Sequence, residues 1–100
     1  MKKVVVTAVK VEGHCSAGIK PGDKFVLEGS TLNLRKTDVV CPFALTNIYP
    51  IIFAARLGFD IAEIGLKERV VQCIDPGAPY TEGGTVFFRV ETADQEKAAG

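Results

Sequence analysis

One hundred residues, 47% of them hydrophobic, fit a single domain whose core needs neither metal nor disulfide to hold it. Twelve Lys and Arg against twelve Asp and Glu leave no formal net charge, so the electrostatic term that draws proteins to nucleic acid or an anionic membrane is missing, and neither is expected as a partner. Lys10 and Glu12 cut short the apolar stretch after Lys2-Lys3, so the start does not read as a secretory signal; the expected location is cytoplasmic, where disulfides are rare and an odd count of three cysteines is no disulfide framework.

Residues Lys3 to Val11 are rich in Val, with Val4 and Val6 on one face and Val5, Val9 and Val11 on the other, which predicts a central strand buried on both sides. Gly13 to Gly22 reads as a loop carrying His14 and Cys15. It closes on Lys20-Pro21-Gly22-Asp23, where Pro presets φ at the second position and Gly supplies positive φ at the third, as a type II turn requires. Lys24 to Glu28 alternates as a short strand, with Phe25 and Leu27 on one side. Gly29 to Asp38 is a polar loop with one short extended piece at Leu32 and Leu34.

At Cys41-Pro42 the period changes. Pro suits the first helical turn, Leu45, Ile48, Tyr49 and Ile52 follow at helical spacing, and Gly58 supplies a stop, so Pro42 to Leu57 is the expected main helix. Pro50 inside it removes a backbone donor and predicts a kink or a break into two short helices. The uncharged stretch Val39 to Ala55 is too short and too interrupted to span a bilayer. Phe59 to Glu68 reads as a helical turn or loop, Arg69 to Ile74 as a strand stopped by Asp75-Pro76-Gly77, and Ala78 to Gly84 as a loop. Thr85 to Glu91 alternates strictly, with Val86, Phe88 and Val90 facing one way. The order strand, strand, helix, strand, strand predicts one α+β domain over 1–93, a mostly antiparallel sheet packed by one Pro-kinked helix, with a polar, frayed tail over 94–100.

The residues that carry chemistry are the cysteines. Cys15, Cys41 and Cys73 each stand beside a turn or a helix start rather than inside an apolar run, and element ends are where side chains converge. Cys41 precedes Pro42 at the helix N-terminus, where unpaired backbone donors and the helix dipole favour a thiolate. Three thiolates at one rim of the sheet leave one position of a tetrahedral zinc ion or of a four-iron cluster for His14, a water, a substrate or a partner. His14 neighbours Cys15, so both reach one ion only if the loop turns sharply there. The cysteines form no C-x-x-C. Asp75 and Asp23 read as turn formers, and no glycine-rich nucleotide loop, serine elbow or H-E-x-x-H is present.

Taken together, Cys15, the Gly18-Ile19-Lys20-Pro21-Gly22-Asp23-Lys24-Phe25 segment, Cys41-Pro42-Phe43-Ala44-Leu45, Tyr49-Pro50 and Cys73-Ile74-Asp75-Pro76 give the chain, up to about Val90, a pattern that resembles a family of short prokaryotic proteins of uncharacterised function. The resemblance implies that the three cysteines, the Gly-Asp turn and the Cys-Pro helix start are one design; it brings no activity, substrate or cofactor. Three readings stand side by side. The first is an accessory or electron-transfer module holding a metal ion or iron–sulfur cluster through Cys15, Cys41 and Cys73. The second is a non-enzymatic interaction domain with structural cysteines, working as a homo-oligomer or beside a protein partner. The third is a thiol redox protein centred on Cys41.

Overall fold

The computed structural model describes residues 1–94. In chain order the elements are β1 (Lys2–Gly13), β2 (Lys24–Glu28), β3 (Thr31–Leu32), α1 (Pro42–Arg56), β4 (Val70–Gln72) and β5 (Gly84–Asp94). The strands form one antiparallel sheet in the order β3-β2-β1-β5-β4, with α1 packed on one face, so the α+β architecture is the one the sequence predicts.

β1 is the central strand, and its pairing with β5 runs from Lys2↔Asp94 to Gly13↔Gly84. The register slips between Ala8 and Lys10, leaving Val9 as an extra residue. Because side-chain facing has a period of two, one inserted residue exchanges the faces beyond it. Val11 therefore packs against the core with Val4, Val6 and Ala8, rather than with Val5 and Val9 as simple alternation predicts. Opposite them, Val86, Phe88 and Val90 of β5 are buried as expected, and Phe25 of β2 meets Phe88 edge to face at 6.1 Å.

α1 presents Ala44, Ile48, Ile52 and Ala55 to this sheet, the spacing of a single buried stripe. Pro42 occupies the first turn, and the first intrahelical bond runs from Leu45 N–H to Cys41 O at 2.9 Å. The helix passes unbroken through Pro50, so it does not divide into two. It stops at Gly58, whose φ of 100° lets its N–H reach Ala55 O and the Phe59 N–H reach Ala54 O, the paired bonds of a Schellman end.

Between α1 and β4 the chain makes turns rather than a helix, with Ile61 buried beneath them. Asp60 and Arg69 tie the two ends of this excursion through paired hydrogen bonds of 3.2 and 3.0 Å. The strand expected over Arg69 to Ile74 is confined to Val70–Gln72, because Arg69 takes a left-handed φ of 59° and the chain turns away after Cys73. The extended piece expected after Gly29 is β3, after which the 33–38 segment folds along the outer edge of β2: Asn33 N–H donates to Val26 O and Asp38 N–H to Lys24 O. Asp94, expected in the tail, closes β5 in an ion pair with Lys2, and residues 95–100 of that tail lie outside the described residues. No helix among the described residues is long and apolar enough to cross a membrane.

Candidate functional site: a cysteine-lined pocket

Three chain segments end at one rim of the sheet. β1 runs out at Gly13, whose φ of 80° turns the chain into the His14–Gly18 loop, and Gly18 N–H closes that loop on Cys15 O at 2.9 Å. Cys41 is the N-cap residue of α1, extended at φ −92° and ψ 118°, with no side-chain hydrogen bond capping the helix. Cys73 follows β4 and stays bonded to β5 through its N–H to Val86 O at 3.0 Å.

The consequence is that Cys15, Cys41 and Cys73 line a single pocket of about 160 Å³, walled by Ala17, Ile19, Ala44 and Val86, with the exposed Phe43 and Ile74 also on its lining. All three thiols are free. Cys73 is buried; its Sγ accepts a hydrogen bond from Val86 N–H at 3.3 Å, and its S–H faces Asp75 O and Gly84 O, each at 3.9 Å. Cys15 and Cys41 are half-buried and reachable from solvent. Among the described residues, no cationic side chain lines the pocket.

Asp75 also lines it, yet its carboxylate is committed to the turn. Oδ1 accepts hydrogen bonds from the Thr81 hydroxyl and, at 2.8 Å, from Gly77 N–H, and these two donors hold the carboxyl below its ordinary value. Oδ2 lies against Gly83, where an added Cβ would come within 2.0 Å of it, and Asp75 O accepts from Thr85 Oγ1 at 2.6 Å. This is the Asx turn expected from the sequence. Asp23 likewise builds the turn before β2: its N–H donates to Lys20 O at 3.0 Å and Oδ2 accepts from Lys20 N–H at 2.9 Å, around Gly22 at φ 96°.

His14 is exposed and is not among the residues that line the pocket. Among the described residues, no group of three or more His, Cys, Asp or Glu side chains is drawn together tightly enough to hold a metal ion. The thiols share a pocket but do not form a closed coordination shell. A larger open groove of about 470 Å³ lies between α1 and β4, lined by Asn47, Ile51, Leu66 and Val70 among others, but it holds no titratable or nucleophilic side chain.

From the sequence the three cysteines converge only if the strands before Cys15 and Cys73 are neighbours; β5 lies between β1 and β4, yet all three line one pocket. Sequence reading missed the pocket's walls: Phe43 and Ala44 carried a signal, adjoining Cys41-Pro42 on the first helical turn, whereas Ile19 and Val86 carried none, being ordinary apolar residues until the fold assembles them. No protein-family profile, no curated protein and no solved structure matches this chain.

Proposed function

We propose that this protein is a thiol-based binding module that takes up a soft metal ion, zinc or an iron–sulfur cluster, through Cys15, Cys41 and Cys73, and serves as an accessory or electron-transfer protein. The observation that supports this reading is that three cysteines distant in sequence line one pocket. Cysteines acting only as small hydrophobes would be scattered through the core. Cys15, Cys41 and Cys73 would be the residues to hold it, the buried Cys73 with its N–H···S bond from Val86 already made. The fourth position falls to a water, a substrate or a partner's side chain, because His14 lies outside the pocket. Three free thiols fit a reducing compartment such as the cytoplasm.

The test is elemental analysis with an absorption spectrum on protein purified without oxygen, beside Cys15→Ser, Cys41→Ser and Cys73→Ser. Near-stoichiometric iron with broad visible absorption, or zinc without colour, lost in each variant, is the expected result. A folded protein that stays metal-free after anaerobic reconstitution with iron and sulfide or with zinc overturns it.

One observation favours a second reading, a thiol redox protein: Cys41 sits half-exposed at an uncapped helix N-terminus, sharing the pocket with Cys15. That reading predicts a Cys15–Cys41 disulfide on mild oxidation, read by mass spectrometry of the proteolytic fragments, and it fails if Cys41 is oxidised only to sulfinic acid.

A further inference from the structure

The two outer surfaces of this fold differ in charge. The sheet face that α1 leaves uncovered carries Lys3, Lys10, Glu28, Arg89 and Glu91, with Lys3 paired to Glu28 and Lys10 to Glu12. The helix does the reverse: from Pro42 to Ala55 it holds no Asp, Glu, Lys or Arg, in a chain that is 24% charged. Its buried stripe is Ala44, Ile48, Ile52 and Ala55, and at about 3.6 residues per turn Phe43, Thr46, Pro50, Phe53 and Leu57 point the opposite way. Phe43, Phe53 and Leu57 are 73, 41 and 47% exposed, and Tyr49 on the flank is 49% exposed. A surface helix ordinarily shows charge on that side, and a helix apolar all round is a covered one.

This face can lose its water at little cost. Thr46 Oγ1 already donates to Pro42 O at 2.8 Å and Asn47 Nδ2 to Gln72 O at 2.9 Å, so neither leaves that donor unmet when covered. Phe43, Tyr49 and Phe53 alone leave about 330 Å² of ring surface open, and with Thr46, Asn47, Pro50 and Leu57 the face approaches the roughly 600–800 Å² that each partner gives to a specific interface at the smaller end of the range. The matching surface must be as free of charge as this one. Residues 95–100, Gln-Glu-Lys-Ala-Ala-Gly, bring no aromatic or large aliphatic side chain to it. Helices that lie on membranes are rich in Lys and Arg, and α1 has only Arg56. A second copy of the chain presents the same uncharged face, and at zero net charge the copies do not repel one another.

We infer that α1 is the interface of a homodimer, in which two copies set their outer helix faces together, antiparallel, across a two-fold axis at Pro50. Phe43 and Leu57 are equally far from Pro50 in sequence, so Phe43 of each copy falls opposite Leu57 of the other, and Phe53 opposite Asn47. The antiparallel setting also places each helix N-terminus beside the other's C-terminus, where the dipoles attract. The contact uses none of the three thiols and stands whether or not the cysteine pocket takes up metal.

The test is sedimentation velocity on the intact chain under reducing conditions, over roughly 1 μM to 1 mM. The mass should rise with concentration from that of one chain toward that of two. Phe53→Lys should raise the dissociation constant about tenfold or more, because it buries an unpaired ammonium. Phe43→Lys and Leu57→Glu should each weaken the dimer, and the two together should restore it, since opposite charges then meet across the axis. All three positions are exposed in the single chain, and unchanged circular dichroism confirms that each variant is folded. The inference is overturned by a one-chain mass at every concentration, by a dimer that Phe53→Lys leaves unchanged, or by a double variant no stronger than either single one. If the chain stays monomeric but floats with phosphatidylcholine vesicles, the face belongs to lipid and the homodimer is refuted.

Discussion

Gly84 is where the sheet and the cysteine pocket depend on each other, and Gly84→Ala probes both. A Cβ there would stand 2.5 Å from Glu12 O, 2.6 Å from His14 N and 2.8 Å from Gly13 C. Ordinary contact begins at about 3.5 Å, so β1 would have to retreat by roughly 1 Å. All three neighbours are backbone atoms, and no rotamer change relieves them. Gly84 is not in the left-handed region, so strain of that kind adds nothing. Overpacking of this sort costs about 1–3 kcal/mol, and the stiffer unfolded chain of an alanine returns about 0.4–1 kcal/mol. Taking the middle of each range, the net loss is about 1.3 kcal/mol, which corresponds to a fall in Tm of roughly 5–10 °C for a domain of this size. Moving the end of β1 also moves the Cys15 loop away from Cys73, so the buried Cys73 becomes easier to reach. Thermal unfolding by circular dichroism gives the first quantity, and the rate of Cys73 labelling by Ellman's reagent in a Cys15→Ser, Cys41→Ser background gives the second. A Gly84→Ala protein that melts within about 1 °C of the parent and labels at the same rate refutes the close approach and its link to the pocket.

Ile48, fully buried at the centre of the helix–sheet contact, should cost about 2–5 kcal/mol as Ile48→Ala, measured by urea unfolding; a loss below 1 kcal/mol contradicts the packing described. At Arg69, φ of 59° and the exposed ion pair with Asp60 act in opposite directions. Arg69→Gly and Arg69→Ala both lose the pair, so the glycine variant should be the more stable by about 1 kcal/mol, and equal stabilities would mean that the left-handed backbone carries no strain. Asp75, Asp60 and Asp94 are all held below their ordinary 3.8 in the folded protein. The unfolded chain therefore binds more protons in acid. The stability these carboxylates contribute is present above 3.8 and is lost as the pH falls through their lower folded values. Urea midpoints should fall with pH in that range, and more shallowly in Asp75→Asn than in the parent; parallel curves would leave Asp75 out of the account.

The architecture was legible wherever local chemistry and the final fold agree. The β-branched run of β1, the Pro-Gly turn before β2, the Cys-Pro helix start and the alternation of β5 each announce themselves within a few residues. What escaped the sequence depends on pairing at a distance. The bulge at Val9 exists only because β1 lies against β5, and it alone decides that Val11 faces inward. Asp94 looks like the start of a polar tail and the alternating strand reads only to Glu91, yet Thr92, Ala93 and Asp94 are strand because Val4, Lys3 and Lys2 stand opposite them. Pro50 predicted a possible break, but Ile48 and Ile52 on either side of it are buried on the sheet and hold the helix together. In the candidate site, turn chemistry identified Asp75 as an Asx turn and element ends brought the cysteines to one rim. The close approach of Gly84 to the backbone of 12–14 at that rim is encoded by no local pattern.

The strand order has one further effect. The two longest strands, β1 and β5, are neighbours, and the sheet's borders fall to β3 with 2 residues and β4 with 3. Beyond β3 the border is already occupied, since Val26 N–H donates to Thr37 Oγ1 and its carbonyl accepts from Asn33. On the far side, Asn47 Nδ2 donates to the Gln72 carbonyl of β4. In a neutral chain with little charge repulsion to keep its copies apart, border strands of 2 and 3 residues that are partly bonded already give a second copy only a short template for edge-to-edge pairing at those two borders.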